Sequence, residues 1–521
     1  MGQGDMRLAL GVELSGRTER LAPVVAREGR RGADVAPEEP RQGIGADGRR
    51  DEMMRGAGGC AVCWALQVVF LVAAAAGPAS AQPVPIPETW GGDLLSRARL
   101  TGNWGGLRDE LGKKGVVLDA DLILSPQGVA SGGRDTGAEF WGNAEYTLNV
   151  DTGKAGLWPG GFLKVFANSG FGESVLTDSS ALVPVNTGAF LPKANDPTTA
   201  LMHATFMQFL SPKFGLVAGK FFTLDVPGEF TGNYRTQFLN LGLVAPMAGA
   251  LVPISAYGGG IVALPWEGVV LSALTLDPDG TPTNSDVTDA FRNGVTEVGS
   301  GHVTIKPFGL VGNQGLSFMW SNKERLSLIQ DPSNIARLLL QERFPRLVDP
   351  GPILERILKR RFPGLLVPVE PLNRESDTWA IFYDFDQYLW QPGGDPKRGV
   401  GVFFSFGASD GDANPIRYSY TLGIGGNGVV PGRSHDSFGL GWAGTDFSGN
   451  LVPFLRTRLD LGLEREDAIE MYYNVAVTPW LNVTADLQVV NPGLTKTLGS
   501  GNQLENVDTA IIAGTRAYVR F

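Results

Sequence analysis

Three short stretches of this 521-residue chain hold residue types that do chemistry elsewhere. Gly407-Ala408-Ser409-Asp410-Gly411 has the spacing of a nucleophile elbow, in which a strained strand-to-helix turn lifts a serine hydroxyl. Asp412, Asn414 and Pro415 follow, and they make a loop rather than a helix, so the match is one of chance. Ser434-His435-Asp436 contains the residue types of a catalytic triad, but adjacent residues cannot converge as a triad must. Asp410, Asp412 and Asn414 open like a calcium loop, yet Pro415 interrupts it and no glutamate stands at the twelfth place. Three histidines, with cysteine only at Cys60 and Cys63, argue against a zinc or redox site. These residues predict no enzyme, no cofactor and no metal.

The chemistry left is that of weak contact. Planar polar groups can fork onto paired hydroxyls of a neutral solute, and aromatic rings can stack on an apolar face. The candidates are polar residues that alternate with apolar ones. They are Asp119 and Asp121, then Glu145 beside Asn143, Thr147 and Asn149, then Lys164 and Asn168, and later Asp384 and Asp386. Arg417, Glu470, Arg516 and Arg520 continue the set, and Asn233, Tyr234, Arg235 and Gln237 lie together in one connection.

The elements that must position them are strands. Leu481, Val483, Ala485, Leu487 and Val489 alternate with Asn482, Thr484, Asp486 and Gln488, and residues 469–478 and 511–521 repeat the pattern. This is the period of a strand with one apolar and one polar face. The segments run about ten residues or more, as a tilted strand crossing a bilayer needs. The one long uncharged run, Leu241 to Trp266, is broken by Pro246, Pro253, Pro265 and Gly258-Gly259-Gly260, so it is no membrane helix.

Connections alternate in length. Short turns fall at Lys154–Gly160, Ser211–Phe214, Pro265–Gly268, Val311–Gly315, Gln391–Gly399, Pro431–Asp436 and Pro479–Leu481. Longer ones lie near 174–199, 222–252, 278–298, 329–376, 410–416, 449–466 and 492–507. That is the short-periplasmic, long-external pattern of outer-membrane barrels, and strands counted back from Phe521 number about sixteen, starting near Val116. Trp158, Trp266, Trp390 and Trp480 sit at short turns, as a periplasmic aromatic girdle would. The expected fold is all-β, a transmembrane antiparallel barrel over 116–521. An arm at 82–115 precedes it, with a short helix over Asn103–Gly115 capped by Asn103, and Leu107 and Leu111 sharing one face.

Residues 60–77 are apolar, follow Arg55 and lead into Ala79-Ser80-Ala81, which reads as a signal peptide cut before Gln82. The expected leader is thus 1–81, with 53–81 the signal and 1–52 a misassigned start or a disordered extension. Both cysteines fall in that leader, so disulfides are not expected in the exported part. The leader is charge-balanced, so the net −10 belongs to the remainder and argues against a nucleic-acid partner. Phe521 resembles the carboxy-terminal signal for barrel-assembly machinery, and outer-membrane lipid and lipopolysaccharide are expected partners of such a barrel.

The segment from Arg99 through Trp104 to Leu111 resembles the N-terminal box of carbohydrate-selective OprB porins. So do Asp377–Trp390, the stretch from Asn414 through Gly425-Gly426 to Arg433, and Phe221–Asn240 with its Asn233-Tyr234-Arg235-Thr236-Gln237-Phe238. The resemblance spans about 90–521. It implies a sixteen-stranded barrel in the outer membrane, passive uptake of glucose-like sugars, and constricting loops folded inward. It also implies a barrel that can stand alone, with the trimer common among porins left open. A general or anion-preferring porin, and a structural or adhesin barrel with a blocked lumen, are the alternatives.

One segment departs from the family pattern. Within 324–376, Ile335, Leu338, Leu339, Leu340 and Phe344, then Ile353, Ile357 and Leu358, recur at helical spacing beside Arg356, Lys359, Arg360 and Arg361. This external insert reads as a helical cap on the barrel rim, or as a basic vestibule that attracts acidic solutes or lipopolysaccharide phosphates. Deleting 330–372 and measuring anion-over-cation permeability separates the two. A vestibule predicts a fall in anion preference, and unchanged selectivity leaves the cap.

Overall fold

A backbone with no water to bond must close its hydrogen bonds on itself, and an alternating chain does so as a ring of strands. In the computed structural model that ring is complete. The structure describes residues 86–193, 199–224, 228–331, 356, 360–361, 371–451, 453, 460–498 and 503–521. The expected leader lies outside them.

The strands run β1 Val116–Gly133, β2 Gly137–Asp151, β3 Gly161–Gly172, β4 Ala200–Ser211, β5 Phe214–Phe222, β6 Ser255–Ala263, β7 Val269–Leu276 and β8 Thr296–Ile305. They continue as β9 Gly312–Ser321, β10 Thr378–Trp390, β11 Gly399–Ser409, β12 Ile416–Asn427, β13 Ser437–Phe447, β14 Arg465–Thr478, β15 Leu481–Asn491 and β16 Asp508–Arg520. Each pairs with its sequence neighbours, and β1 pairs antiparallel with β16 to close the barrel. Among the described residues no helix is long and apolar enough to cross a membrane; the strands do so.

The two faces of the wall separate as the alternation dictates. Leu422, Leu440, Ile469, Met471, Leu487 and Ile511 point outward and stay exposed. Their neighbours Thr421, Gly439, Glu470, Tyr472, Asp486 and Ile512 point inward and are buried. The core sits inside the barrel, where Phe230, Phe238, Leu243, Tyr388, Phe403 and Tyr472 form one cluster. Trp158 and Trp390 are about half exposed at their short turns, and Trp266 and Trp480 sit at two others.

One turn departs from its expected place. The β8–β9 connection is 306–311, not Val311–Gly315. Pro307 starts a single helical turn there, and Phe308 and Gly309 take φ of 55° and 80°, which reverses the chain early. The N-terminal helix is α1, Leu107–Lys113, preceded by a short 3-10 turn. Asn103 does not cap it; its side chain bonds Asp109 instead. Its buried face is Arg108 and Gly112 rather than Leu107 and Leu111. Gly112 lies flat on the Trp90 ring, and a Cβ there would come within 2.5 Å of it.

Arg108 explains the inversion. It donates to the Leu118 carbonyl, the Asp119 carboxylate and the Phe521 carbonyl, at 2.8, 2.7 and 3.0 Å. The arm thereby straps the β1–β16 seam at its periplasmic end, helped by Leu100 N–H on the Arg520 carbonyl. Of the 324–376 insert, Arg325–Leu326 pairs with Arg374–Glu375, and Arg356, Arg360 and Arg361 are helical and exposed. The apolar residues expected on its helices lie outside the described residues.

A charge on the lipid face tests the orientation. Leu422→Arg, near the middle of β12, is expected to cost about 2–4 kcal/mol of folding free energy. Urea titration of the barrel in phospholipid vesicles reads the loss.

Candidate functional site

The lumen is shaped by two inward-folded connections, L2 (173–199) and L3 (223–254). Chain inside a barrel carries backbone N–H groups that need partners, and inward-facing side chains of the wall supply them. Glu470 on β14 accepts from the N–H groups of Leu239 and Asn240 at 2.6 and 2.8 Å. Glu466 accepts from Leu182 and Val183 of L2, each at 2.8 Å. Asp386 on β10 accepts from Glu229 N–H at 3.1 Å and from the Asn313 amide at 2.8 Å.

Cations and rings complete the hold. Arg516 on β16 donates to the Tyr234 and Gln237 carbonyls, each at 2.7 Å. Phe230 packs edge-on to Tyr388, and Phe238 does so to Phe403 and Tyr472. The wall opposite Phe230 is Gly401 and Gly425, where an added Cβ would come within 2.5 and 2.7 Å of the ring. Those glycines let L3 lie flush on the sheet.

Tyr234 and Arg235 reach the far wall. The Tyr234 hydroxyl donates to Glu145, and Arg235 Nε donates to the other Glu145 oxygen at 2.6 Å. Burial works to lower the Arg235 guanidinium pKa, but Tyr234 and Glu145 outweigh it and hold it well above its ordinary value. The Glu145 bond uses Nε, so it does not consume the terminal fork of the guanidinium. On the same loop, burial and then the nearby Asp386 charge push the Glu229 carboxyl up.

Below Arg235 lies a cavity of about 270 Å³, lined by Thr147, Asn149, Lys164, Phe166, His203, Phe222 and Arg235. Phe166 and Phe222 meet at 5.4 Å between ring centroids, and the Arg235 guanidinium stands 5.8 Å from the Phe166 ring. The Phe222 N–H donates to His203 Nδ1 and so fixes that ring. The cavity combines an aromatic floor, two cations and small amide and hydroxyl groups. Among the described residues no cluster of three or more His, Cys, Asp or Glu is placed to hold a metal.

Of the residues expected at the site, Lys164 and Arg235 line this cavity, and Glu145 and Tyr234 support Arg235. Asn233 and Gln237 shape L3 itself: Asn233 N–H donates to Gln237, whose amide donates to the Glu229 carbonyl. Asp384 faces inward over Gly315, in the row of His302. Asp119 holds Arg99 and Arg108 of the arm, and Asp121 accepts from the Tyr518 hydroxyl at 2.9 Å. Arg520 bonds the Pro479 carbonyl at the periplasmic rim.

Four of the expected residues stand apart from this cavity. Asn168, Glu470 and Arg516 point inward and are fully buried under the folded loops. Arg417 grips the Ser409 and Asp410 carbonyls at the external rim and stacks on Tyr418. The strand pattern gave inward direction but no sign of which inward groups the loops would claim. Phe166, His203 and Phe222 were missed because aromatics on a strand read as lipid-facing or core. The enzyme-like stretches serve as turns: Ser409 bonds the Ile416 carbonyl, and Asp436 collects Arg433, Tyr473 and Ala476 N–H.

The family model of the OprB carbohydrate-selective porins matches residues 136–521. The high-pH structure of OprB from Pseudomonas putida aligns at 19% identity with a TM-score of 0.66, covering 82% of this chain and 100% of that one. The low-pH structure of the same protein aligns at 15% identity with a TM-score of 0.49, covering 82% and 99%. No curated protein matches the chain.

The anchoring of L3 predicts a gain in pore size when it is cut. Glu470→Ala leaves two buried N–H groups without partners, a loss on the order of 3 kcal/mol. Planar-bilayer recordings are expected to show larger and noisier single-channel conductance, and thermal unfolding a lower midpoint. Unchanged conductance would mean that Glu470 does not hold the constriction.

Proposed function

This chain belongs to the OprB family of carbohydrate-selective porins, and from that premise we propose that the cavity under Arg235 is where small, glucose-like sugars are held as they pass. The protein is an outer-membrane porin that admits small carbohydrates by passive diffusion. Family and channel fold point to transport rather than catalysis.

The observation that carries the reading is the juxtaposition of Phe166 and Phe222 with Lys164, Arg235 and Asn149 around one cavity. Rings present an apolar face to the C–H side of a sugar, and the cations and amide bond its hydroxyls. None of these contacts is strong alone, which suits a site that must release what it binds. Two cations beside the path also disfavour a cationic solute of sugar size. In this reading Phe521, whose N–H bonds the Ala120 carbonyl, is the assembly signal on the last strand. A single barrel suffices for transport, and the outward apolar face meets lipid and lipopolysaccharide.

Liposome swelling tests this. The expected order is glucose fastest, the larger raffinose slower, and arginine slower than glucose. Equal rates for glucose and arginine would remove the sugar preference, and no swelling with any solute would reject an open pore. Phe166→Ala is expected to weaken glucose block of the ionic current roughly 10-fold, the value of about 1.4 kcal/mol of lost stacking.

A further inference from the structure

L3 does more than narrow the lumen. At Glu229 it is bonded to Asp386 of β10, and at Tyr234 and Arg235 to Glu145 of β2. In a closed ring of sixteen strands, β2 and β10 are half the circumference apart. The seven residues from Glu229 to Arg235 span six Cα steps and extend at most roughly 20 Å, and the long Tyr, Arg and Glu side chains supply the rest of a barrel diameter. L3 is therefore a chord across the lumen.

The two sides of that chord differ. On the β11–β1 side, inward residues a few positions from the periplasmic turn are sealed: Asn474 is 2% exposed, Thr484 1% and Arg516 0%. On the β6–β9 side, inward residues at the same depth are Ser272, Ser300 and Ser317, and all three remain half-buried. Further from the turn these strands are sealed too, with Leu276 1% and Thr296 and Met319 0% exposed, so the contrast between the two sides lies at this depth. They stand side by side in register on β7, β8 and β9, and the Ser272 and Ser300 hydroxyls bond each other at 2.6 Å. Side-chain size adds to the difference, since the neighbouring inward positions Gly258 and Gly260 on β6 leave that wall thin.

We propose that at this depth solutes pass through one half of the lumen only, beside β7–β9, and that Ser272, Ser300 and Ser317 form a hydroxyl face that contacts the passing sugar. The proposal rests on the porin reading and refines it. The cavity under Arg235 borders the same half, because β2–β5 lie on that side of the chord. A neutral polyol can exchange its water for serine hydroxyls one at a time, at little net cost, which an apolar wall would not allow. The opposite half is filled by loop and side chain and serves as the buttress.

Cysteine accessibility tests this in a background carrying Cys60→Ser and Cys63→Ser. Ser300→Cys and Ser317→Cys are compared with Thr484→Cys, each folded barrel being verified by its heat-modifiable mobility. A charged methanethiosulfonate reagent is added during planar-bilayer recording. The expected result is a current reduced roughly twofold or more at positions 300 and 317, and no change at 484. Ion current unaffected at 300 and 317, or block at 484, overturns the one-sided path while sugar swelling leaves the porin reading intact. If Thr484→Cys fails to fold, the two serine positions alone decide. A folded protein that conducts neither ions nor sugars overturns both readings.

Discussion

A carboxylate in the wall accepting backbone N–H groups from an inward loop is the interaction on which this lumen depends. Glu470 does it for L3, Glu466 for L2, and Asp386 for the start of L3. Each places a charge-assisted acceptor against chain that has left both sheet and water, where an unpaired N–H is costly. Remove those acceptors and the loops have no reason to stay inside. The shape of the lumen and the cavity follow from where they stand on the strands.

The same logic governs the periplasmic seam. Closing a barrel requires the first and last strands to pair, and the pairing of β1 with β16 is irregular beyond Val129. Arg108 compensates at the other end by joining α1, β1 and Phe521 in a single group of hydrogen bonds. It is buried because its partners are there, with the Trp90 and Trp104 rings 5.4 and 4.7 Å from the guanidinium. The small helix is thus a clasp, and its polar face is the buried one.

Function emerges from a division of labour between loop and wall. L3 supplies Arg235, and the strands supply Lys164, Phe166 and Phe222, so neither alone makes the cavity. Glu145 is the hinge of this arrangement. It lies in the wall, is nearly fully buried, and positions both Tyr234 and Arg235. A residue read from sequence as a lining carboxylate is instead the one that orients the lining arginine.

What the sequence determined is what depends on period and punctuation. Alternation at every second residue set sixteen strands, their start at Val116 and which face of each is apolar, because a one-residue slip would put the charges in lipid. Proline and glycine set most of the turns; at 306–311 the marking pair is Pro307 and Gly309, and Gly312 and Gly315 a few residues later carry the same signal inside a strand. What only the tertiary structure decided is pairing across the ring. Glu145, Asp386, Glu470 and Arg516 look alike as inward polar residues, yet their partners lie about 90 to 280 residues away in L3. Strand periodicity carries no information about such distant contacts. They, rather than the alternation, determine which inward groups stay open to the lumen and which are sealed behind the loop.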